Sequence, residues 1–218
     1  MVRDGYFYGL AFGVVAVLLW LFTHAIWLVL IPVLLACFFL WFFRDPTRQI
    51  PSLPGQIVSP ADGLVTEAEW IEMPSGTRLR LSIFLNVFDV HVNRSPIAGI
   101  VKLCEFRKGR FMNAMKAESV VENEQTLIVI DAGAYEVSFK QIAGLLARRI
   151  VCNLKVGDRV ERGQRIGLIK FGSRCDVLLP AEADLKVKTG MRVLGGKTVL
   201  AEVPEPLSPS VPRGASVR

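Results

Sequence analysis

Gly172-Ser173, in the run Lys170-Phe171-Gly172-Ser173-Arg174-Cys175-Asp176, is a peptide bond at which a chain can act on itself. A serine hydroxyl can attack the carbonyl that precedes it, and only a residue with a β-oxygen or β-sulfur has that option. Glycine on the carbonyl side lets the backbone approach without a Cβ clash. Such a step needs a base. The chain has two histidines, and His24 lies in an apolar run, so His91 is the one imidazole open to acid-base work in a soluble domain near neutral pH. A lone histidine is more often a packing residue than a catalyst, and residue type alone leaves that reading open. Asp62, in Ser59-Pro60-Ala61-Asp62-Gly63, either completes a reactive set or satisfies its own turn.

The elements that must position these residues are strands. Lys155-Val-Gly157-Asp158-Arg-Val160-Glu-Arg-Gly163-Gln164-Arg-Ile166-Gly-Leu-Ile169 alternates apolar residues around two glycines and reads as a β-hairpin-like unit. Lys188-Thr-Gly190-Met-Arg192-Val193-Leu-Gly-Gly196 repeats its Lys, Gly, Arg, Val and Gly at matching spacing, which points to an internal duplication and a pseudo-symmetric β-sandwich. The first copy resembles the biotinyl and lipoyl carrier domains, whose hairpin carries a modified lysine at its exposed tip; Gly172-Ser173 stands where that tip would be, without the lysine. Ile57–Val65 reads as strand, Asp-Gly turn, strand, and Leu79–Val92 as a β-rich run with His91 at its end. Residues 108–124 are polar and part helix, part loop, and strands resume at Leu127–Ile130 and Tyr135–Ile142.

In front of this domain, Tyr6 to Phe43 is almost wholly apolar, too long for one membrane span at about 1.5 Å per residue and suited to two. The expected arrangement is a helical hairpin, Tyr6–Phe22 and Ala25–Phe43, turning at Thr23-His24. Arg3 before it and Arg44 and Arg48 after it place both ends in the cytoplasm by the positive-inside bias. Beyond residue 48, 23 Lys and Arg stand against 18 Asp and Glu, a surplus that suits contact with anionic headgroups and also an ordinary solvated surface. Cysteines at 37, 104, 152 and 175 show no C-x-x-C spacing, so neither metal nor disulfide is expected. The expected organisation is a membrane-anchoring hairpin over 1–48, a mainly β (α+β), barrel-sandwich-hybrid-like domain over 49–202, and a proline-rich disordered tail over 203–218.

Taken in order, Phe42-Phe43-Arg44-Asp45-Pro46-Thr-Arg48, Ser59-Pro60-Ala-Asp62-Gly63, Phe88-Asp89-Val-His91-Val-Asn-Arg94-Ser-Pro96, Gly109-Arg-Phe-Met-Asn113-Ala with Glu122-Asn123-Glu124, and Phe171-Gly172-Ser173 resemble the short, bacterial and archaeal type of phosphatidylserine decarboxylase. The resemblance implies self-cleavage between Gly172 and Ser173, giving a β chain of residues 1–172 and an α chain of 173–218 that begins with a pyruvoyl group made from Ser173. It implies a processing triad of Asp62, His91 and Ser173, with Asp62 orienting the imidazole. Long-form members carry a second histidine where this chain has Arg94, so His91 aligns with the first and the resemblance leaves open whether it serves both processing and turnover. In turnover the pyruvoyl carbonyl would form a Schiff base with the serine amine of phosphatidylserine, carbon dioxide would leave, and phosphatidylethanolamine would be released. Arg94, Arg110 and Asn113 are candidate substrate contacts. The two chains are expected to form a heterodimer, with further dimerisation left open; no nucleic acid partner is expected, and the inner membrane's cytoplasmic face is the expected location.

Two rivals come from other classes. A membrane-tethered barrel-sandwich adaptor without catalysis explains the repeat and the anchor, but it needs long coiled-coil helices, and no heptad run of that length is present. A zinc peptidase needs at least two histidines outside the membrane segment, and this chain has one.

Overall fold

The apolar N-terminus folds back on itself through local chemistry at residues 23–25. The computed structural model describes residues 2–73, 76–116, 118–145, 149–170 and 172–204; most of the expected tail, from residue 205, lies outside the described residues, as does Phe171. Helices α1 (Arg3–Thr23) and α2 (Ile26–Phe42) are joined where His24 adopts a left-handed conformation, φ 51°, and donates its N–H to the Trp20 carbonyl. Thr23 Oγ1 donates to the Leu19 carbonyl at 2.7 Å and accepts the Ala25 N–H at 3.2 Å. Leu40 lies directly against Gly9, and Tyr8 stacks on Phe39 and Phe43 at 4.9 and 5.9 Å. α1 is long and apolar enough to cross a membrane, and α2 is a shorter apolar helix of 17 residues.

The rest is mainly β, as expected. The strands are β1 (Gln56–Val58), β2 (Gly63–Met73), β3 (Gly76–Leu85), β4 (Val92–Arg94) and β5 (Gly99–Arg107). After a one-turn helix α3 (Ser119–Glu122) come β6 (Gln125–Asp131), β7 (Glu136–Ile142), β8 (Ile150–Cys152), β9 (Arg159–Val160) and β10 (Arg165–Ile169). The chain ends with β11 (Ser173–Leu179), β12 (Asp184–Leu185), β13 (Arg192–Val193) and β14 (Val199–Glu202). A curled eight-stranded sheet has the order β13-β2-β3-β11-β7-β6-β5-β9, and three-stranded sheets β1-β14-β12 and β4-β10-β8 complete a barrel-like body. Its core is built by the inward-facing residues of the large sheet, including Val65, Leu81, Ile83, Ile128, Ile130, Phe139, Val177 and Leu179.

The duplication runs deeper than the terminal repeat. Arg192-Val193 pairs with the start of β2 at Leu64 and Gly63, and Arg159-Val160 pairs in the same way with the start of β5 at Ile100 and Gly99. Gly196 N–H meets the Ser59 carbonyl and Gly163 N–H meets the Ser95 carbonyl, at 2.7 and 2.8 Å. Ser59 Oγ bonds the Ala61 carbonyl and Ser95 Oγ bonds the Ile97 carbonyl, both at 2.6 Å. Bulges fall at matching points, between Val65 and Glu67 and between Val101 and Leu103. Ser59-Pro60-Ala-Asp-Gly63 and Ser95-Pro96-Ile-Ala-Gly99 are therefore two copies of one turn, the first serviced by Arg192–Gly196 and the second by Arg159–Gly163.

This interlocking corrects three hairpin readings. β9 pairs with β5 while β10 pairs with β4 and β8, so residues 155–169 do not fold on themselves. β1 and β2 belong to different sheets, so Asp62-Gly63 is a crossing between sheets. β10 and β11 also belong to different sheets, and Ser173 is fully buried, so Gly172-Ser173 is not an exposed hairpin tip. The reason is shared: the backbone groups of each strand are paired with strands remote in the chain, which leaves none for the adjacent strand.

Candidate active site

Ser173 opens β11, the strand at the middle of the large sheet, and pairs with Leu85 of β3. Its hydroxyl is buried and has no hydrogen-bond partner among the described residues. Gly172, just before it, has φ +59°, a left-handed conformation that favours glycine. Its N–H donates to His91 Nε2 at 3.3 Å.

His91 is held from its other side. Nδ1 lies 2.9 Å from the Asp89 carbonyl, an acceptor only, so the proton sits on Nδ1 and the Nε2 lone pair faces the Gly172-Ser173 dipeptide. The ring is 2% exposed and packs on Phe42 with centroids 4.4 Å apart. Burial pulls its pKa down from 6.5 to about 4; the bond to the Asp89 carbonyl and the Asp89 carboxylate oppose this, and Arg44 adds to it. The imidazole is therefore neutral at physiological pH, with its lone pair on Nε2. Asp89 is itself fixed, by the Asn86 N–H at 2.9 Å and by Arg192.

Asp62 lies elsewhere in the same neighbourhood. Its carboxylate accepts from Arg48 and from the Gly195 N–H, each at 2.7 Å, and among the described residues it makes no hydrogen bond to His91. Burial raises its pKa, against the lowering effect of the Gly195 N–H and Arg48. The orienting contact expected of Asp62 is made instead by the main-chain carbonyl of Asp89. Asp62 ties the segment after α2 to the second copy of the repeat.

The other expected contacts are spread out. Arg94 is buried, with its guanidinium bonded to Asp45 at 2.7 Å and to the carbonyls of Gly163 and Pro46. Arg110 pairs with Glu122 at 3.0 Å with its side chain 74% exposed. Asn113 is exposed and closes a turn onto the Met115 N–H. Asn123, by contrast, is fully buried and structural: its amide bonds the carbonyls of Met112 and Ala143 at 2.9 and 2.7 Å, binding two loops together.

One residue of consequence had no sequence signal. Gly144 follows Ala143 in the loop that Asn123 fixes, and a Cβ placed there would overlap the Gly172 carbonyl oxygen. The backbone of this loop thus lies directly on the carbonyl that Ser173 would attack. Phe42 and Phe43, at the end of α2, are buried against Leu168 of β10, which seats the hairpin beside His91.

The geometry is that of a buried hydroxyl, a carbonyl closely approached by the Gly144 backbone and a neutral imidazole at one dipeptide, docked under an apolar hairpin. A family model for phosphatidylserine decarboxylase matches residues 35–201. The phosphatidylserine decarboxylase proenzyme of Solibacter usitatus (strain Ellin6076) is 48% identical over 202 residues, covering 92% of this chain and 96% of the relative. The proenzyme of Symbiobacterium thermophilum is 48% identical over 78% of this chain and 81% of its own length, and that of Anaplasma phagocytophilum is 46% identical over 84% and 82%. With the match running through the hairpin's end, both repeats and the Gly172-Ser173 dipeptide, this chain belongs to the phosphatidylserine decarboxylase family.

Proposed function

We propose that the protein is a membrane-anchored phosphatidylserine decarboxylase that matures by cutting itself between Gly172 and Ser173. The observation that carries this is the His91 tautomer: Nδ1 is occupied by the Asp89 carbonyl, and the Nε2 lone pair faces the dipeptide. His91 takes the proton of Ser173 Oγ, and the oxygen attacks the Gly172 carbonyl carbon. The C–N bond breaks and an ester joins the two segments. Loss of the Ser173 Cα proton then expels the ester oxygen as the Gly172 carboxylate, leaving dehydroalanine. Its imine tautomer takes up water and releases ammonia, which leaves a ketone at position 173.

The residues fit a pyruvoyl group at that point. Ser173 Oγ is buried and uncommitted, and pairing with Leu85 holds residue 173 in β11. When formed, the group supplies an electron sink for the carbanion left by loss of carbon dioxide. The chain's own residues do the rest: His91 holds and returns a proton at Nε2, and Phe42 and the strands around it keep water away. Asp62 acts as a positioning residue through Arg48 and Gly195.

The hairpin explains how such a site meets a diacyl lipid. Phe7, Leu10, Phe22 and Trp27 are exposed on it, a surface that suits lipid rather than water. Its end is seated beside His91, so the headgroup is met at the interface without extraction of the acyl chains. Arginines at 3, 44 and 48 favour a cytoplasmic domain.

Intact mass and denaturing electrophoresis of the purified protein test the reading. We expect fragments 1–172 and 173–218, the smaller blocked at its N-terminus, and release of carbon dioxide from phosphatidylserine. Ser173→Ala should stay whole and inactive, and His91→Ala should be cut far more slowly. A wild-type chain that stays whole on incubation would refute the proposal.

A further inference from the structure

The segment joining α2 to the β domain, Arg44-Asp45-Pro46-Thr47-Arg48, carries three ions. Two are neutralised: Asp45 meets Arg94 at 2.7 Å and also Arg165, and Arg48 meets Asp62 at 2.7 Å. Arg44 has no carboxylate partner among the described residues. Its guanidinium lies 4.3 Å over the Trp41 ring and donates to two main-chain carbonyls, Trp41 at 3.2 Å and Phe88 at 2.6 Å. A guanidinium has five N–H donors, so others stay available.

The position of this cation matters as much as its freedom. The Phe88 carbonyl that holds Arg44 is followed in the chain by the Asp89 carbonyl that holds His91 Nδ1. Cation and imidazole therefore hang from successive peptide groups, about 3.8 Å apart along the backbone. The Phe88 ring, 71% exposed, meets Trp41 edge-on at 6.0 Å, so both aromatic neighbours of the cation are continuous with the apolar hairpin.

We propose that Arg44 binds the phosphodiester of the lipid substrate's headgroup. The proposal rests on the decarboxylase reading. In that headgroup the amine must reach residue 173, the acyl chains stay with the hairpin, and the phosphate lies between them. A cation between the reactive dipeptide and the apolar hairpin matches this order. Arginine's planar fork suits two phosphate oxygens, which a lysine serves only as a point charge. Arg94 is already committed to Asp45, and Arg110 to Glu122. An anion on Arg44 also cancels a charge that helps keep His91 neutral, which favours the protonated ring needed to return a proton.

The test uses full-length wild-type, Arg44→Lys and Arg44→Gln protein in neutral detergent micelles, with rates referred to the cleaved fraction. Arg44→Gln should raise KM for phosphatidylserine roughly 10- to 100-fold with a smaller change in kcat, and Arg44→Lys should fall between. A second arm uses the uncut Ser173→Ala protein and titrates glycerophosphoserine against an O-alkyl serine that lacks phosphate. Adding Arg44→Gln should weaken the first by a similar factor and leave the second unchanged. Equal weakening of both, or no change in either, overturns the proposal. So does a defect seen only when phosphatidylglycerol is added to the micelles, since Arg44 would then meet the anionic surface at large. If wild-type protein releases no carbon dioxide, the decarboxylase reading fails, while the titration arm still judges whether Arg44 binds the phosphodiester.

Discussion

The state of His91 can be read from the pH dependence of self-cleavage. With its pKa at about 4 in the folded chain, the imidazole is about 90% neutral at pH 5, whereas an ordinary histidine at 6.5 would be about 3% neutral. If cleavage follows the neutral ring, its rate should stay nearly flat from pH 8 to 5 and halve near pH 4. A solvent-exposed histidine would have cost about thirtyfold by pH 5. The same shift enters stability. A histidine whose folded pKa is depressed contributes fully above 6.5, and that contribution drains as pH falls from 6.5 towards 4. It amounts to about 3 kcal/mol in total, of which about 2 are gone by pH 5. Precursor made in a cell-free reaction, shifted to each pH and sampled on denaturing gels, gives the rate. Circular dichroism of the uncut Ser173→Ala protein at the same pH values shows whether the fold survives. A cleavage midpoint near 6.5 in a chain that is still folded would refute the assignment of His91 as a buried neutral base.

Two further perturbations probe the supports of the site. Gly144→Ala puts a methyl group onto the Gly172 carbonyl oxygen, and it should slow cleavage at least tenfold while leaving the circular dichroism spectrum intact; normal cleavage would show that the loop does not position that carbonyl. Arg48→Ala leaves the buried Asp62 carboxylate with the Gly195 N–H alone and should cost about 3–5 kcal/mol in denaturant unfolding, whereas Arg48→Ala with Asp62→Ala should cost clearly less than the two single losses added; strict additivity would mean that the pair does not interact.

The strands and the chemistry were legible in the sequence to different depths. Alternation located β6, β7 and β10, and the apolar run located both helices, because these patterns record burial directly. Pairing was not legible, because Asp62-Gly63 and Gly172-Ser173 carry turn-forming residues whether the next strand returns to the same sheet or crosses to the other. Residue type singled out Ser173 and His91, which come together at the Gly172 N–H. It could not reveal that a main-chain carbonyl, at Asp89, would orient the imidazole, since every residue has one. Gly144 was equally silent: its importance is the absence of a side chain near an atom 28 positions away in the sequence.

The duplicated turns show where function departs from architecture. Ser59-Pro60 and Ser95-Pro96 make the same serine-to-carbonyl bond two residues on, and Gly63 and Gly99 both begin long strands where a Cβ would meet backbone. Between them the first copy has Asp62 and the second has Ala98. The turn therefore does not need a carboxylate, and Asp62 is an addition that the fold tolerates. It is partnered by Arg48, which follows the hairpin and has no counterpart in the duplication. Arg94 is a similar departure, standing where the first copy has Val58: both donate their N–H to the proline carbonyl of the opposite turn, at 2.9 Å, yet only Arg94 reaches Asp45 of the hairpin segment. These two symmetry-breaking residues tie the segment after the hairpin to the β domain, beside the apolar seat of Phe42 and Phe43 on Leu168. The pseudo-symmetric body thereby carries the apolar hairpin at one end, and it is at that end that His91 meets the Gly172-Ser173 dipeptide.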